Sequence, residues 1–206
     1  MLPPARIRTA VSLPLSLGDG ELVDAVAYTF HDLVDGGQHL LLGLGEFQVA
    51  RPLVRPHSEC LTGDVLASAR CDCGPQLREA LRRISVVGGF LLYLRQEGRG
   101  IGLYNKLDAY ALQDQGQDTF QANRSLGFPE DDRDYRVVAQ MMAAMGVERV
   151  ELLTNNPDKV AQIRAAGLIV EAVHSTELHL RPENADYLAA KAQLAGHSLP
   201  IPARPV

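Results

Sequence analysis

The chain has 206 residues, of which 46% are hydrophobic and 22% charged, so it is long enough for one globular domain or two small ones of ordinary soluble composition. Its 20 Lys and Arg against 25 Asp and Glu give a formal charge of −5, which excludes a whole-molecule positive field for a nucleic-acid backbone. Aromatic residues make up 5% and tryptophan is absent, which disfavours a base-stacking platform for single strands.

Cysteine usage and the N-terminal segment indicate the compartment. The chain has 3 cysteines, an odd number, and it is large enough to fold without disulfide bonds, which disfavours a secreted disulfide scaffold. The apolar stretch after Arg6 and Arg8 is interrupted by Pro14 and Gly18, and no apolar run reaches about 18 residues. We therefore expect a cytoplasmic protein with no membrane partner.

The chain up to about residue 54 is predicted to form strands. Short β-prone runs, over 21–30 and 39–51, are separated by turn signals. Gly18-Asp19-Gly20 and Asp35-Gly36-Gly37 contain Asp-Gly pairs, which are typical of hairpin turns. The N-terminal part is therefore expected to be antiparallel.

From residue 75 the hydrophobic period becomes helical. A helix is predicted to begin with Pro75 at its first position, and Gly88-Gly89 connects it to a short buried strand over 90–95. Two further helices are predicted over 102–115 and 135–145, and a glycine follows each of them.

A strand, a helix and a second strand are predicted over 149–153, 157–166 and 168–173, with the crossover length that a parallel pair requires. A last helix is predicted over 183–196, followed by a loose Pro-rich tail. The predicted fold class is α/β, with a mixed sheet, flanking helices and antiparallel N-terminal strands. We expect a single domain over 1–206 with an ordered core at about residues 5–196.

The three cysteines lie in one short window, as Cys60, Cys71 and Cys73. Soft thiolates at this density in a reducing compartment favour Zn²⁺, and three protein ligands leave a fourth position for water or substrate, as in catalytic sites. Buried free cysteines are the alternative. His57 would close the site as a fourth ligand, the alternative being a loop histidine that hydrogen-bonds locally.

Two strand-to-helix corners have the composition of anion sites. The segment Arg95–Gly102 follows a predicted buried strand. Its glycines would let backbone N–H groups approach an anion, and the guanidinium of Arg99 supplies several N–H donors in one plane. It matches neither the dinucleotide fingerprint nor a Walker loop, and a simple turn is the alternative. At the corner 154–159, Lys159 opposes the helix dipole, which a bound anion would explain; a solvated surface lysine is the alternative.

Two further features have ordinary explanations when taken alone. The acidic cluster Glu130–Asp134 surrounds Arg133 before a helix, where such runs are usually solvated and cap the helix. Tyr110 is placed like a core aromatic of the helix over 102–115.

Taken in chain order, several stretches stand out: RPHSECLTGD (55–64), SARCDCG (68–74), YLRQEGRGIGL (93–103), Asn105-Lys106, AYALQDQG (109–116), Asn123, LGF (126–128), DDRDY (131–135) and LLTNNP (152–157). They resemble the successive motifs of the GTP cyclohydrolase II family. The resemblance extends from about residue 10 to about residue 196, which is nearly the whole chain.

The resemblance implies a zinc enzyme of riboflavin biosynthesis. Its reaction removes carbon 8 of the guanine of GTP as formate and the outer two phosphates as pyrophosphate, leaving 2,5-diamino-6-(5-phosphoribosylamino)pyrimidin-4(3H)-one. Cys60, Cys71 and Cys73 match the zinc ligands, and Mg²⁺ is expected on the triphosphate because it neutralises the departing pyrophosphate. Three thiolates give the Zn²⁺ site a net negative charge, so water there is less acidified and a nearby proton acceptor is needed.

The resemblance also implies roles for individual residues. Asp131 matches the proton acceptor, Tyr110 a tyrosine near the guanine ring, and Arg133 the residue assigned as nucleophile toward the α-phosphorus. A guanidinium with a pKa above about 12 is a poor nucleophile, so stabilising the departing pyrophosphate is an equally sound role for Arg133. The expected GTP contacts are Arg55, Pro56, His57, Ser58, Glu59, Gln76, Glu97, Gly98, Arg99, Thr119, Thr154 and Lys159.

One position departs from the family pattern. Pro56 stands where an apolar β-branched residue is expected, and it removes one backbone N–H from the loop. If the family uses that N–H for substrate, GTP affinity is affected; if the position is structural, nothing changes.

The resemblance further implies a homodimer. Two alternative functions remain: a family relative that stops early, and a GTP-binding regulator without catalysis, which the presence of Tyr110, Asp131 and Arg133 disfavours. A deaminase-like zinc enzyme is disfavoured because its Pro-Cys-x-x-Cys segment is missing. The sequence leaves open whether the product enters riboflavin or a specialised pathway.

Overall fold

The computed structural model describes residues 2–18, 20–129, 131–185 and 188, with only the backbone of residues 119 and 120. The chain divides into two compact units. The first comprises Met1–His57, Leu77–Arg95 and Asp134–Thr176, and the second comprises Ser58–Gln76, Gln96–Arg133 and Glu177–Val206.

The first unit is built on a 7-stranded sheet with the order β1-β4-β5-β7-β6-β8-β9, beside a 2-stranded β2-β3 ribbon. The strands are β1 (Arg6–Ser12), β2 (Leu15–Gly18), β3 (Glu21–Val23), β4 (Ala25–His31), β5 (Leu40–Leu44), β6 (Leu53–Ser58), β7 (Gly89–Leu94), β8 (Arg149–Leu153) and β9 (Ile169–His174).

Strand direction changes across this sheet. β1, β4, β5 and β7 pair antiparallel, whereas β6, β8 and β9 pair parallel. The mixed sheet and its antiparallel N-terminal part were predicted, and both are confirmed. The β4–β5 connection covers residues 32–39, so it is longer than a two-residue hairpin turn. Within it, His39 Nε2 and Asp35 Oδ2 pair at 2.7 Å. The other predicted turn is Gly18-Asp19-Gly20, and its Asp19 lies outside the described residues.

Helices cover both faces of the sheet. Alternate residues of β7 enter different hydrophobic clusters: Phe90, Leu92 and Leu94 pack with α5 (Arg136–Ala144) and α6 (Pro157–Ala165), while Leu91 packs with α2 (Cys73–Val87). The cores therefore lie above and below the strands, and the predicted strand at 90–95 is confirmed as buried on both faces.

The start of α2 differs from the prediction. The helix begins at Cys73 rather than at Pro75, because Gln76 N already donates to Asp72 O at 3.0 Å. Pro75 lies within the first turn, where the N–H that it lacks would have no helical partner. The earlier start brings Cys73 into the helix.

The second unit contains α1 (Leu61–Asp64), a 3-10 turn (Glu97–Gly100), α3 (Leu103–Gln113) and α4 (Thr119–Ser125). The sequence interpretation missed α4, which has no apolar period. Its signal is a capping box: Gln121 N donates to Asp118 Oδ1 at 2.8 Å, and Asp118 N donates to Gln121 Oε1 at 3.3 Å.

The C-terminal part is described only in part. A 3-10 turn covers Pro182–Asn184, and most of the predicted helix over 183–196 and the whole predicted tail lie outside the described residues. Within the described part of the chain, no helix has the length and apolar character to cross a membrane. The single domain over 1–206 stays a prediction.

Candidate functional site

The three cysteines come together in the second unit. Cys60 directly precedes α1, while Cys71 and Cys73 lie at the start of α2. Their sulfur atoms are all within 4.8 Å of one another, and the Cys60 and Cys71 sulfurs are 3.7 Å apart. A tetrahedral Zn²⁺ with sulfur at about 2.3 Å separates two ligand sulfurs by roughly 3.8 Å. The group therefore fits a metal ion held by three thiolates.

Gly63 of α1 leaves room beside the thiols. A Cβ at this position would lie 2.6 Å from the Cys71 sulfur, 3.2 Å from the Cys60 sulfur and 3.1 Å from Cys73 Cβ. These distances are shorter than van der Waals contact, so any larger side chain would occupy the space that borders the sulfurs.

Among the described residues, the ligand atoms of this group are limited to the three thiols. The alternative fourth ligand, His57, is not a member of it. In the first unit, the His57 ring stacks on Tyr93 with 5.6 Å between ring centroids. The group thus offers three ligand atoms to a metal ion.

A half-buried lysine contacts the thiol group. Lys106 Nζ donates to Cys60 Sγ at 3.1 Å, to Thr62 Oγ1 at 3.0 Å and to Glu97 Oε1 at 2.8 Å. Its side chain is 11% exposed. A positive charge is therefore held directly against one of the three sulfurs.

The thiols and the ammonium shift each other's pKa values. Hydrogen bonds from Cys71 and Cys73 lower the pKa of Cys60, and the charge of Lys106 lowers it further against the effect of burial. The same bond to Cys60 raises the pKa of Cys71 to about 11. Burial opposes the charge of Lys106, but the Cys60 thiolate and Glu97 outweigh it and raise the Lys106 pKa. The ammonium of Lys106 therefore favours the thiolate form of Cys60.

Glu97 joins the 3-10 turn to this group. Its Oε1 accepts from Lys106 Nζ and from Gly98 N, at 2.8 and 2.9 Å, and its Oε2 accepts from Leu61 N at 2.6 Å. Leu61 follows Cys60 directly. Both oxygens of this predicted GTP contact are thus engaged within the second unit.

The same turn borders the acidic segment after α4. Arg99 has a left-handed φ of 61°, which is rare outside glycine, and its carbonyl accepts from Asp132 N at 3.0 Å. Beside it, Arg133 Nε donates to Asp131 Oδ1 at 2.8 Å and Arg133 Nη2 donates to Asp131 Oδ2. Burial opposes ionisation of Asp131, but these bonds hold its pKa below the usual value.

Tyr110 of α3 also lies near the thiol group. The guanidinium of Arg70 lies 4.5 Å from its ring centroid, and the Lys106 ammonium lies 5.7 Å from it. Burial raises the pKa of Tyr110, so the side chain is a neutral phenol at physiological pH. The ring is therefore flanked by two cations rather than packed in an apolar core.

The first unit groups another set of predicted GTP contacts. Arg55 Nη1 donates to Leu153 O at 3.0 Å, and Lys159 Nζ donates to Pro56 O at 2.7 Å. Thr154 Oγ1 accepts from Asn156 N at 3.1 Å. Lys159 is 5% exposed, so it is not the solvated surface lysine of the alternative interpretation.

The remaining predicted contacts are placed as follows. Gln76 Nε2 donates to the fully buried Asp72 Oδ2 at 2.5 Å, while Ser58 and Glu59 are half-buried. The side chain of Thr119 lies outside the described residues.

A cavity of about 500 Å³ lies in the first unit, and no predicted site residue lines it. Its basic lining residues Arg51, Arg82 and Arg83 each form an ion pair with a glutamate. The cavity therefore has no excess positive charge for a triphosphate.

Comparison with known proteins gives one family. Residues 8–175 match GTP cyclohydrolase II. A GTP cyclohydrolase-2 of Psychromonas ingrahamii is 46% identical over 199 residues, covering 96% of this chain and 98% of that protein. A GTP cyclohydrolase-2 of Vibrio cholerae is 46% identical over 200 residues, covering 96% of this chain and 100% of that protein.

Two longer proteins are also similar. The riboflavin biosynthesis protein RibBA of Bacillus velezensis is 47% identical over 192 residues, covering 92% of this chain and 47% of that protein. Among solved structures, the two-domain 3,4-dihydroxy-2-butanone 4-phosphate synthase RibBX of A. baumannii has a TM-score of 0.42 and 17% identity, covering 85% of this chain and 41% of that one.

Proposed function

Because the chain belongs to the GTP cyclohydrolase II family, we propose that it hydrolyses GTP to 2,5-diamino-6-(5-phosphoribosylamino)pyrimidin-4(3H)-one, formate and pyrophosphate. As a member of this family it is an enzyme that acts on GTP in riboflavin biosynthesis. The observation that best supports ring opening by this chain is the group of three thiols within 4.8 Å, with room beside it at Gly63.

The proposed metal is Zn²⁺, held by Cys60, Cys71 and Cys73. Thiolate ligands favour Zn²⁺ over Mg²⁺ or Ca²⁺, which prefer oxygen. Zn²⁺ bound there would supply a Lewis acid that activates water toward carbon 8 of guanine. Mg²⁺ is proposed to bind the triphosphate rather than the thiols.

Asp131, Arg133 and Tyr110 are the proposed catalytic residues. A guanidine acts as a nucleophile only when it is deprotonated, and the two bonds to Asp131 stabilise the charged form of Arg133. This favours charge stabilisation of the departing pyrophosphate over covalent attack on the α-phosphorus. Tyr110, as a neutral phenol, is proposed to donate a hydrogen bond near the guanine ring.

The proposed GTP contacts combine cations with backbone and amide groups. Lys159 and Arg55 are buried cations of the first unit, which suits them to bind phosphate. In the first unit the proposed contacts are Arg55, Pro56, His57, Thr154 and Lys159. In the second unit they are Ser58, Glu59, Gln76, Glu97, Gly98, Arg99 and Thr119.

We further propose a single functional domain that acts as a cytoplasmic homodimer, with GTP as its small-molecule partner and no nucleic-acid or membrane partner. The formal charge of −5 supports the exclusion of nucleic acid.

The proposed reaction is tested by incubating zinc-loaded protein with GTP and Mg²⁺. We expect formate and pyrophosphate to appear in equal amounts, together with the absorbance of the pyrimidine product. Pyrophosphate without formate would exclude ring opening and indicate a relative that stops early. Tight GTP binding without either product would indicate a regulator.

Asp131 is expected to stay ionised through the neutral range. Its pKa lies below the usual value of about 3.9, so protonation removes its pairing with Arg133 only as the pH falls below that value. Asp131→Asn is expected to lower kcat for formate release by about 10²- to 10⁴-fold. Asp132→Asn, one residue along the chain, serves as the control.

The pH profile of kcat/KM checks the sign of this shift, because it reports groups of the free enzyme. Between pH 5 and 8 we expect Asp131 to produce no acid limb. An acid limb in this range that disappears in Asp131→Asn would contradict the lowered pKa.

A further inference from the structure

Lys106 has no assigned role in the reaction, yet its ammonium lies 3.1 Å from the Cys60 sulfur. Its ammonium has three N–H donors, and the three acceptors Cys60 Sγ, Thr62 Oγ1 and Glu97 Oε1 lie at 3.1, 3.0 and 2.8 Å. The charge is thus held at a defined place by its full set of hydrogen bonds.

The net charge of the proposed metal site explains why a cation beside the Cys60 sulfur is favourable. Three thiolates and one Zn²⁺ sum to a net charge of −1, which reduces the acidity of water bound to the ion. The ammonium of Lys106 brings the sum to zero. An N–H donor on a ligating sulfur also withdraws electron density from it, so the ion keeps more of its Lewis acidity.

We propose that Lys106 is a positioning residue of the metal centre, whose ammonium fixes the Cys60 sulfur through a hydrogen bond and compensates the charge of the three-thiolate site. This inference rests on the proposed zinc site. Glu97 acts with Lys106, because one oxygen anchors the ammonium and the other accepts from Leu61 N, next to Cys60. The pair therefore restrains both the sulfur and the backbone beside it.

Cobalt provides a readout that does not depend on activity. Co²⁺ substitutes for Zn²⁺ in tetrahedral thiolate sites and gives an absorption band for charge transfer from sulfur to the metal. Lys106→Met keeps an unbranched side chain as far as the ε position and removes the ammonium with its charge and its donors. We expect the band to move to longer wavelength, because the sulfur electrons of Cys60 lose the ammonium that stabilises them.

Two variants separate charge compensation from packing. Lys106→Arg keeps a positive donor, so its band is expected close to that of the unmodified protein. Arg70→Met removes a cation of the same unit that pairs with Asp114 rather than with a thiol, and it should leave the band unchanged. Formate release by zinc-loaded Lys106→Met is expected to fall about 10- to 100-fold and to recover partly in Lys106→Arg.

The possible outcomes separate a failure of the proposal for Lys106 from a failure of the proposed metal site on which it rests. If Lys106→Met binds one Co²⁺ with an unshifted band, the role of Lys106 is wrong and the metal site stands. If the unmodified protein binds neither Co²⁺ nor Zn²⁺, the metal site itself is wrong.

A second variant covers the case in which Lys106→Met does not fold or does not hold cobalt. Lys106→Gln keeps a polar side chain with two N–H donors and removes the positive charge. Its band is expected at longer wavelength than that of the unmodified protein, because the charge compensation is lost. A band at the original position in this variant would overturn the proposal.

Discussion

Replacing Cys71 by serine is expected to abolish both metal binding and formate release. Cys71 Sγ lies 3.7 Å from Cys60 Sγ, the separation that two ligands of one tetrahedral zinc ion require. A serine hydroxyl stays protonated at neutral pH and cannot replace a thiolate. Changing residues that only orient a metal ligand costs about 10- to 100-fold, so losing the ligand itself should cost more than about 100-fold.

Metal content and formate release are measured on the same preparation of Cys71→Ser. Ser68→Ala is the matched control, because Ser68 lies in the same loop and its hydroxyl accepts from Arg70 N at 3.3 Å. The control is expected to retain one zinc per chain and full formate release. Full ring opening by Cys71→Ser would refute the assignment of the thiols as zinc ligands.

Adding one methyl group at Gly63 is expected to displace the metal while preserving the fold. The new Cβ of Gly63→Ala would lie 2.6 Å from the Cys71 sulfur and 3.2 Å from the Cys60 sulfur. Forcing an extra methyl into a packed site typically costs about 1–3 kcal/mol of folding stability. The larger consequence is at the thiols, which have to move apart to accept the methyl group, so we expect metal content and formate release to fall by at least about 10-fold.

Gly116→Ala is the matched control for this substitution. Gly116 has a φ of +96° and no atom within 4 Å of an added Cβ, so alanine there introduces backbone strain of about 1–2 kcal/mol without contact with the thiols. We expect a lower melting temperature with zinc retained. If Gly63→Ala keeps its zinc and its rate, the room beside the sulfurs is not needed for the ion.

Local sequence patterns predict most of the helices and strands. The helix over α5 was predicted because its apolar residues recur with a helical period, and β8, α6 and β9 because a strand, a capped helix and a second strand follow at crossover length. The helix α4 was missed because its helical signal is one reciprocal cap, between Asp118 and Gln121, and not an apolar face. The helix α2 begins two residues before its predicted start, because a proline is compatible with any position of the first helical turn and does not mark the first residue alone.

The candidate site was only partly predictable. The three cysteines stand out by type and spacing, whereas the sequence left open whether Lys159 meets a bound anion or is a solvated surface lysine. The contact of Lys106 with Cys60 joins residues 46 apart in the chain, and that of Glu97 with Leu61 joins residues 36 apart. No local period encodes such pairs.

By itself, the sequence predicted most of the strands and helices, singled out the three cysteines as a candidate metal site and carried the resemblance to the GTP cyclohydrolase II family, because each depends on residues close together in the chain or on motifs in a fixed order. Only the tertiary structure decided which cation faces the Cys60 sulfur, that Glu97 anchors this cation, and that Glu97 also accepts from Leu61 N. The physical reason is that hydrogen bonds and charge pairs act over a few ångströms in space, and folding alone determines which distant residues come that close.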